Sequence, residues 1–422
     1  MYRKSKLANG LRIITKRLSG VGSLSLGIWI NIGGRYEPEA SKGISHYLEH
    51  LLFKGSNKYS CRAIKESIEG VGGALNGFTS EELTCYLVKI PSRYLIKALD
   101  ILSDMVVAPR LKQEDIQKER TVILEELKMY RDLPQSYVYE LLDELLWPKQ
   151  ALGSPVIGTV ESVKSITRNN LSCFQGAHYT PANIVISAAG LIDHNLLVKK
   201  VSDIFANMNP GGLNAFTAVK EAQSEQQLEI FHKATEQTHM ALGFHGLKRD
   251  HPLRHAQSLL HIILGANMSS RLFNEVREKR GLAYEIGTGI KRYHDTGAFL
   301  VHAGIDNRKV APCLELIFKE LGKVKNKLVT VDEFKRAKEF YLGQLMLALE
   351  DTMEYMLWMG ESMACLDKVY TLEDVIQEVN KVNIEDLRLV TQQIFKRQKI
   401  NLALIGPLGE DKKKIYSKLN LG

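Results

Sequence analysis

His46-Tyr47-Leu48-Glu49-His50 is the stretch on which the reading of this chain turns. Two histidines stand four apart, with a carboxylate directly before the second. On a helix, positions i and i+4 share one face, about one turn apart, so one divalent ion can take both imidazoles. Glu49, three residues after His46, lies on the same side and reaches water at such an ion. The rest of the segment is apolar (Ile44, Tyr47, Leu48, Leu51, Leu52, Phe53) and predicts a buried helix over 44–53. A plain core helix explains those side chains but not three ionisable groups beside one another. Each polar group buried without a partner costs roughly 2–7 kcal/mol, and a metal removes that penalty. The pattern H-x-x-E-H inverts the commoner zinc-protease helix motif. It predicts a zinc-dependent hydrolase with His46 and His50 as ligands and Glu49 as general base.

A hydrolytic zinc site takes three protein ligands and leaves one position open, so a third ligand is expected on another element. Residues 113–132 are rich in Glu, Lys, Leu and Arg and stop shortly before Pro134, which predicts a helix. Ile116, Ile123, Leu127 and Tyr130 make its apolar stripe. Glu119 and Glu126, two turns apart, fall on or beside that stripe, and inward carboxylates need a cation or donors. Glu125 and Lys128, or Glu114 and Lys118, read instead as a solvated charged face.

With these residues in hand, the chain resembles the inverzincin family that includes pitrilysin, insulin-degrading enzyme and mitochondrial processing peptidase. The resemblance rests on the pentapeptide and on Glu119-Arg-Thr-Val-Ile-Leu-Glu-Glu126. In that family the third ligand is a glutamate roughly 75 residues after the second histidine. The resemblance therefore implies Glu126 as the ligand and Glu119 as a carboxylate supporting the site from behind. Further matches are Asn9-Gly10-Leu11-Arg12, which opens like the family's first hairpin, and Tyr179-Thr-Pro-Ala-Asn183 with the apolar run after it. Arg277-Glu-Lys-Arg-Gly-Leu-Ala-Tyr284 looks like the family's Arg/Tyr pair. That pair implies Tyr284 donating to the oxyanion and Arg277 binding a substrate carbonyl.

Gly72-Gly73-Ala74-Leu75-Asn76-Gly77-Phe78-Thr79 resembles the family's substrate-side strand, which implies substrate contacts at Asn76, Phe78 and Thr79. Family members often carry Ala where this chain has Gly77. The glycines at 70, 72 and 73 do not make a nucleotide loop. The third glycine of the dinucleotide spacing is missing, no Gly-Lys-Ser/Thr follows, and residues 74–90 read as a strand. A peptide adding along that strand would bind mainly through main-chain hydrogen bonds.

The chain has 422 residues, 45% of them apolar, which is globular composition for two to three domains. Met208-Asn-Pro-Gly-Gly and the polar stretch after it predict a linker at 211–227 between domains at 1–210 and 228–422. The halves look alike. Ser25-Leu-Gly-Ile-Trp-Ile stands before the metal helix as Ala241-Leu-Gly-Phe-His-Gly stands before a helix at 255–264. In the latter, His255 and His261 are six apart and on different faces, so only the first copy holds metal. The expected fold is α+β, two homologous domains, each a mainly antiparallel sheet backed by helices.

Net charge is +8 and the isoelectric point about 9.0, but the charges are dispersed. Lys412-Lys413-Lys414 is the one short run, and nothing has nucleic-acid-binding spacing. Five scattered cysteines fit neither a disulfide nor a metal pattern and point to a reducing compartment. No signal or membrane segment is evident, so the expected location is the cytoplasm. The whole reading is a metalloendopeptidase with one zinc ion per chain, cutting extended peptides in the closed chamber of a homodimer. In the dimer that the resemblance implies, Arg277 and Tyr284 of one chain serve the site of the other. The alternative is a non-catalytic or partner-dependent subunit of a peptidase complex.

Overall fold

The computed structural model describes residues 2–409, 415, 417–419 and 421, so the lysine run at 412–414 lies outside it. The fold is α+β, with two sheets backed by helices. The first sheet is built from β1 (Arg3–Lys6), β2 (Arg12–Arg17), β3 (Ser23–Ile30), β4 (Ala74–Thr79), β5 (Thr84–Pro91) and β6 (Ile184–Gly190), in the order β1-β2-β6-β3-β5-β4. β3 is buried along almost its whole length, which is why its sequence runs apolar without alternation. On this sheet's side of the chain lie α1 (Ile44–Leu52) and α2 (Gln113–Asp132).

The second sheet comprises β7 (Gln227–His232), β8 (Gln237–His245), β9 (Ala283–Arg292), β10 (Gly297–Asp306) and β11 (Asn401–Gly406), in the order β7-β11-β8-β10-β9. Leaving β1 aside, both sheets share one connectivity. The first strand pairs parallel with the last, the second lies beyond it, and a hairpin completes the sheet with its third strand at the edge. The duplication read from the sequence is therefore present as topology. In it, α4 (Arg254–Gly265, following α3 at Pro134–Leu146) takes the place that α1 has in the first copy.

Residues 74–90, read as one strand, form a hairpin instead. Ser80 and Leu83 close its turn through Ser80 N–H to the Leu83 carbonyl, 2.8 Å, and Leu83 N–H to Ser80 Oγ, 3.1 Å. Glu82 in that turn is held by Arg35 at 2.7 Å, both side chains buried. The consequence is that β4 pairs only with β5 and forms the edge of the sheet.

The strands of the first sheet end at Gly190 and those of the second begin at Gln227, but the compact units do not follow the expected 1–210 and 228–422. One comprises Met1–Lys128, Ser154–Thr217 and Met346–Thr371; the other Met129–Gly153, Ala218–Leu345 and Leu372–Gly422. Each takes a helix from the other's stretch of chain, and packing is the reason. Val138, Leu141, Leu142 and Leu146 of α3 bury against Ala241, Ala298, Leu300 and Ala403 of the second sheet. α5 (Thr352–Leu366) lies on β6, β3 and β2 of the first sheet. Its Gly360 sits so close that a Cβ there would stand 2.1 Å from the Trp29 ring nitrogen, which donates to Ser187 Oγ at 2.8 Å. Periodicity within a helix does not say which sheet its apolar face will meet.

The five cysteines are all free thiols. No helix among the described residues is long and apolar enough to cross a membrane.

Candidate metal centre

The pentapeptide lies on α1, as its spacing predicts. The helix starts at Gly43, whose φ of +89° is a left-handed conformation that suits glycine. A Cβ there would also lie 2.4 Å from the Ile157 carbonyl oxygen. Glu37 caps the helix. Its Oε2 accepts from Gly43 N–H at 2.7 Å and its Oε1 from Ser45 N–H at 2.8 Å, and the residue is 6% exposed. A carboxylate at this end also meets the positive end of the helix dipole. Burial pushes the Glu37 pKa up, and these bonds hold it down only in part. The cap is a buried polar contact that nothing replaces, so Glu37→Ala is expected to cost about 2–4 kcal/mol. Urea unfolding measures this, and an unchanged midpoint would show that the helix starts without the carboxylate.

Ile44, Tyr47, Leu48, Leu51 and Leu52 form the buried face of α1. Tyr47 donates a short hydrogen bond to the Ile116 carbonyl and so ties α1 to α2. In α2, Ile116, Ile123 and Leu127 are buried as the stripe predicts, and Glu119 is buried with them. Glu125 is exposed and bonded to Lys128 at 2.6 Å, the solvated pair expected of it.

This packing brings three donors together. His46 Nε2 is 3.8 Å and His50 Nε2 3.6 Å from the same oxygen, Glu126 Oε2. That oxygen is buried and has no hydrogen-bond partner. Among the described residues, His46, His50 and Glu126 are the one group whose donor atoms all lie within 4.8 Å of one another. Two imidazole nitrogens and a carboxylate oxygen suit a zinc-class ion, and the unpartnered Glu126 oxygen is the buried acceptor such an ion would satisfy. Burial, with the neighbouring His50, lowers the His46 pKa to about 4, so its ring is neutral and able to ligate. Burial also works against a charged His50, but the bond to Glu119 and the nearby carboxylates outweigh it and raise its pKa. Burial raises the Glu126 pKa, partly offset by His50.

Behind His50 stands a chain of contacts. Glu119 Oε2 meets His50 Nδ1 at 3.1 Å, and Lys54 Nζ donates to Glu119 Oε1 at 2.6 Å. Burial alone would raise the Glu119 pKa; these two partners bring it below the usual value. Lys54 was not foreseen; it stands in the turn just past the C-terminal end of α1, two residues beyond Leu52. Its loss leaves Glu119 free to turn from the imidazole. Lys54→Met is expected to weaken metal binding roughly 10–100-fold, read by competition with a chromophoric chelator. Unchanged affinity would mean that Glu119 orients His50 unaided.

Glu49 stands beside the three donors. Thr79 donates to its Oε2 at 2.7 Å, which gives Thr79 a positioning contact not read from the sequence. Burial raises the Glu49 pKa, and the Thr79 bond opposes it. Asn76 and Phe78, at the alternate positions of β4, turn to the other face. Phe78 packs edge-on against Trp29, ring centres 5.7 Å apart, and exposed Asn76 bonds its neighbour's amide at 2.9 Å. Their side chains do not join the cluster. Arg277 and Tyr284 belong to the other unit. There the guanidinium lies over the Tyr284 ring at 5.5 Å and over Phe273 at 4.7 Å, and Tyr284 is 74% exposed.

Comparison with known proteins gives consistent matches. The sequence model described as insulinase, peptidase family M16, matches residues 12–160, and that of the M16 inactive domain matches residues 165–341. An uncharacterized zinc protease of Streptomyces coelicolor is 38% identical over 96% of this chain and 90% of its own length. One from Bacillus subtilis is 36% identical over 97% and 99%. Among solved structures, a protease from Helicobacter pylori superposes with a TM-score of 0.91 at 22% identity, covering 96% of this chain and all of its own. An M16 inactive-domain protein from Pseudomonas fluorescens superposes with 0.89 at 18%, covering 98% and 99%. At such identities the two structures speak for the fold alone.

Proposed function

Since the chain belongs to the insulinase family of peptidases, family M16, we propose that it is a zinc-dependent endopeptidase that hydrolyses extended peptides or unfolded segments. The observation that carries this reading is the convergence of His46, His50 and Glu126 on one point, with Glu49 beside them. Curated relatives named zinc proteases support it.

His46, His50 and Glu126 hold the ion. When bound, zinc polarises the scissile carbonyl and the attacking water as a Lewis acid. The chain's own residues do the rest. Glu49, its Oε2 held by Thr79, takes a proton from the attacking water at Oε1 and passes it to the leaving amine. Its raised pKa brings it nearer the working pH, which suits a group that must accept and return one proton. Glu119 and Lys54 fix the His50 ring. The free edge of β4, which runs through Thr79, offers main-chain groups to an extended peptide as an added strand. Such binding follows backbone rather than sequence, so broad selectivity is expected.

By the family resemblance, Arg277 binds a substrate carbonyl and Tyr284 donates to the oxyanion. They act across a homodimer whose closed chamber admits unfolded chains in the cytoplasm. A non-catalytic subunit is the weaker reading, and the grouping of His46, His50 and Glu126 with Glu49 beside them is what speaks against it. The test is elemental analysis together with cleavage of a quenched extended peptide. One tightly held zinc with cleavage supports the reading; no cleavage by zinc-loaded protein, alone or after dimerisation, overturns it. Comparison with a small amide distinguishes an endopeptidase from an amidase.

A further inference from the structure

The second sheet carries another set of ligating groups. A cavity of about 300 Å³ lies in the second unit, with His239, Glu285, His302 and Tyr139 among its lining residues and no Lys or Arg. In the strand register, His239 on β8 and Glu285 on β9 both stand opposite Gly304 on β10. Alternation puts all three positions, and His302 two residues earlier on β10, on one face of the sheet. His239 and Glu285 are thus two strand spacings apart, roughly 10 Å along the backbone plane. Gly304 lies between them and has no side chain to fill the gap. An imidazole and a carboxylate close such a span by leaning toward each other over the glycine.

His302 completes the outline. Its Nε2 is 3.8 Å from Glu285 Oε1. Its ring occupies the room above Gly287, where a Cβ would come within 2.8 Å of it. Tyr139, on α3, faces it with ring centres 6.2 Å apart. Neither His239 nor His302 is held by a hydrogen bond among the described residues. Burial lowers the pKa of each, against the pull of Glu285, which leaves two neutral rings with free lone pairs. Two such imidazoles and a carboxylate, with no cationic residue lining the cavity, suit a borderline divalent cation and not an anion.

We propose that His239, His302 and Glu285 form a second metal site, which takes one zinc-class divalent ion above Gly304. The three donors are not all within the 4.8 Å that marks the first group, so a side chain must turn to close the set. Glu285, whose side chain is 71% exposed, has the freedom to do so. The site is accordingly weaker than the first, and it stands whether or not the peptidase reading does.

Calorimetric titration of chelator-treated full-length protein with Zn²⁺, repeated with Co²⁺ for its absorption bands, tests this. Wild type is expected to bind two ions per chain, one tightly and one more weakly. His239→Gln/His302→Gln is expected to lose the weaker ion and keep the tight one with its peptide cleavage. His46→Ala/His50→Ala is expected to do the reverse, retaining one weak ion. One ion in wild type, or two in His239→Gln/His302→Gln, overturns the proposal. If circular dichroism shows that double variant to be unfolded, Glu285→Gln decides. A tenfold or greater loss of affinity for the weaker ion supports the site, and unchanged affinity overturns it.

Discussion

Glu49→Gln is expected to lower peptide cleavage by about 10²–10⁴-fold while the protein still binds zinc. The amide keeps the size of the carboxylate and still accepts the Thr79 hydrogen bond through its oxygen, so the fold and the three donors are undisturbed. What it loses is the basic oxygen that takes the proton. Cleavage of a quenched extended peptide, with zinc measured in the same preparation, reads both properties. A variant that binds zinc and cuts at the wild-type rate would remove Glu49 from the mechanism. A variant that loses the metal would show that Glu49 instead belongs to the ligand set.

Removing the metal is expected to have an effect of similar or greater size. Chelation should abolish cleavage, and zinc added in slight excess should restore it. Glu126→Gln should resist this rescue, since the oxygen toward which both histidines point no longer bears the carboxylate charge. Stability should follow. An ion that binds only the folded chain, supplied at about a thousand times its Kd, stabilises it by about 4 kcal/mol. Scanning calorimetry of stripped and reloaded protein measures this as a rise in Tm for wild type and a much smaller rise for Glu126→Gln. Equal rises in both would place the ion elsewhere, and Glu126 would then be a buried carboxylate without a ligand's role.

Much of the first site was legible because helices make short spacings into geometry. His46, Glu49 and His50 lie within five residues, and Glu119 and Glu126 within two turns of one helix. The apolar stripe of α2 sets Glu119 and Glu126 apart from the solvated Glu125, and the choice of Glu126 as ligand comes from the family resemblance. What was not legible came from contacts between elements distant in sequence. Glu37 caps α1 from a preceding loop, and nothing in its own neighbourhood marks it as a buried carboxylate. That Thr79 braces Glu49 was not legible either, because the hairpin turn at 80–83 sets which side of β4 faces α1. Asn76 and Phe78 go the other way for the same reason. The turn was missed because a stretch of seventeen residues reads as continuous when the polar break within it, Ser80-Glu81-Glu82, is so short. Helix α3 is amphipathic and α5 is apolar nearly all round, and neither declares its partner.

That last feature bears on how the chain is made. Synthesis runs from the N-terminus, and domains generally fold as units as they emerge. All six strands of the first sheet are complete by Gly190, but α5, which lies on three of them, ends at Leu366. A ribosome must therefore deliver the chain through Leu366 before the first sheet is covered, and Trp29 waits for Gly360 throughout. Truncation at 210 yields strands with a bare apolar face rather than a small domain. A nascent chain of that length exposes the apolar surface that α5 later covers, the kind of transient exposure that makes partly folded chains prone to associate.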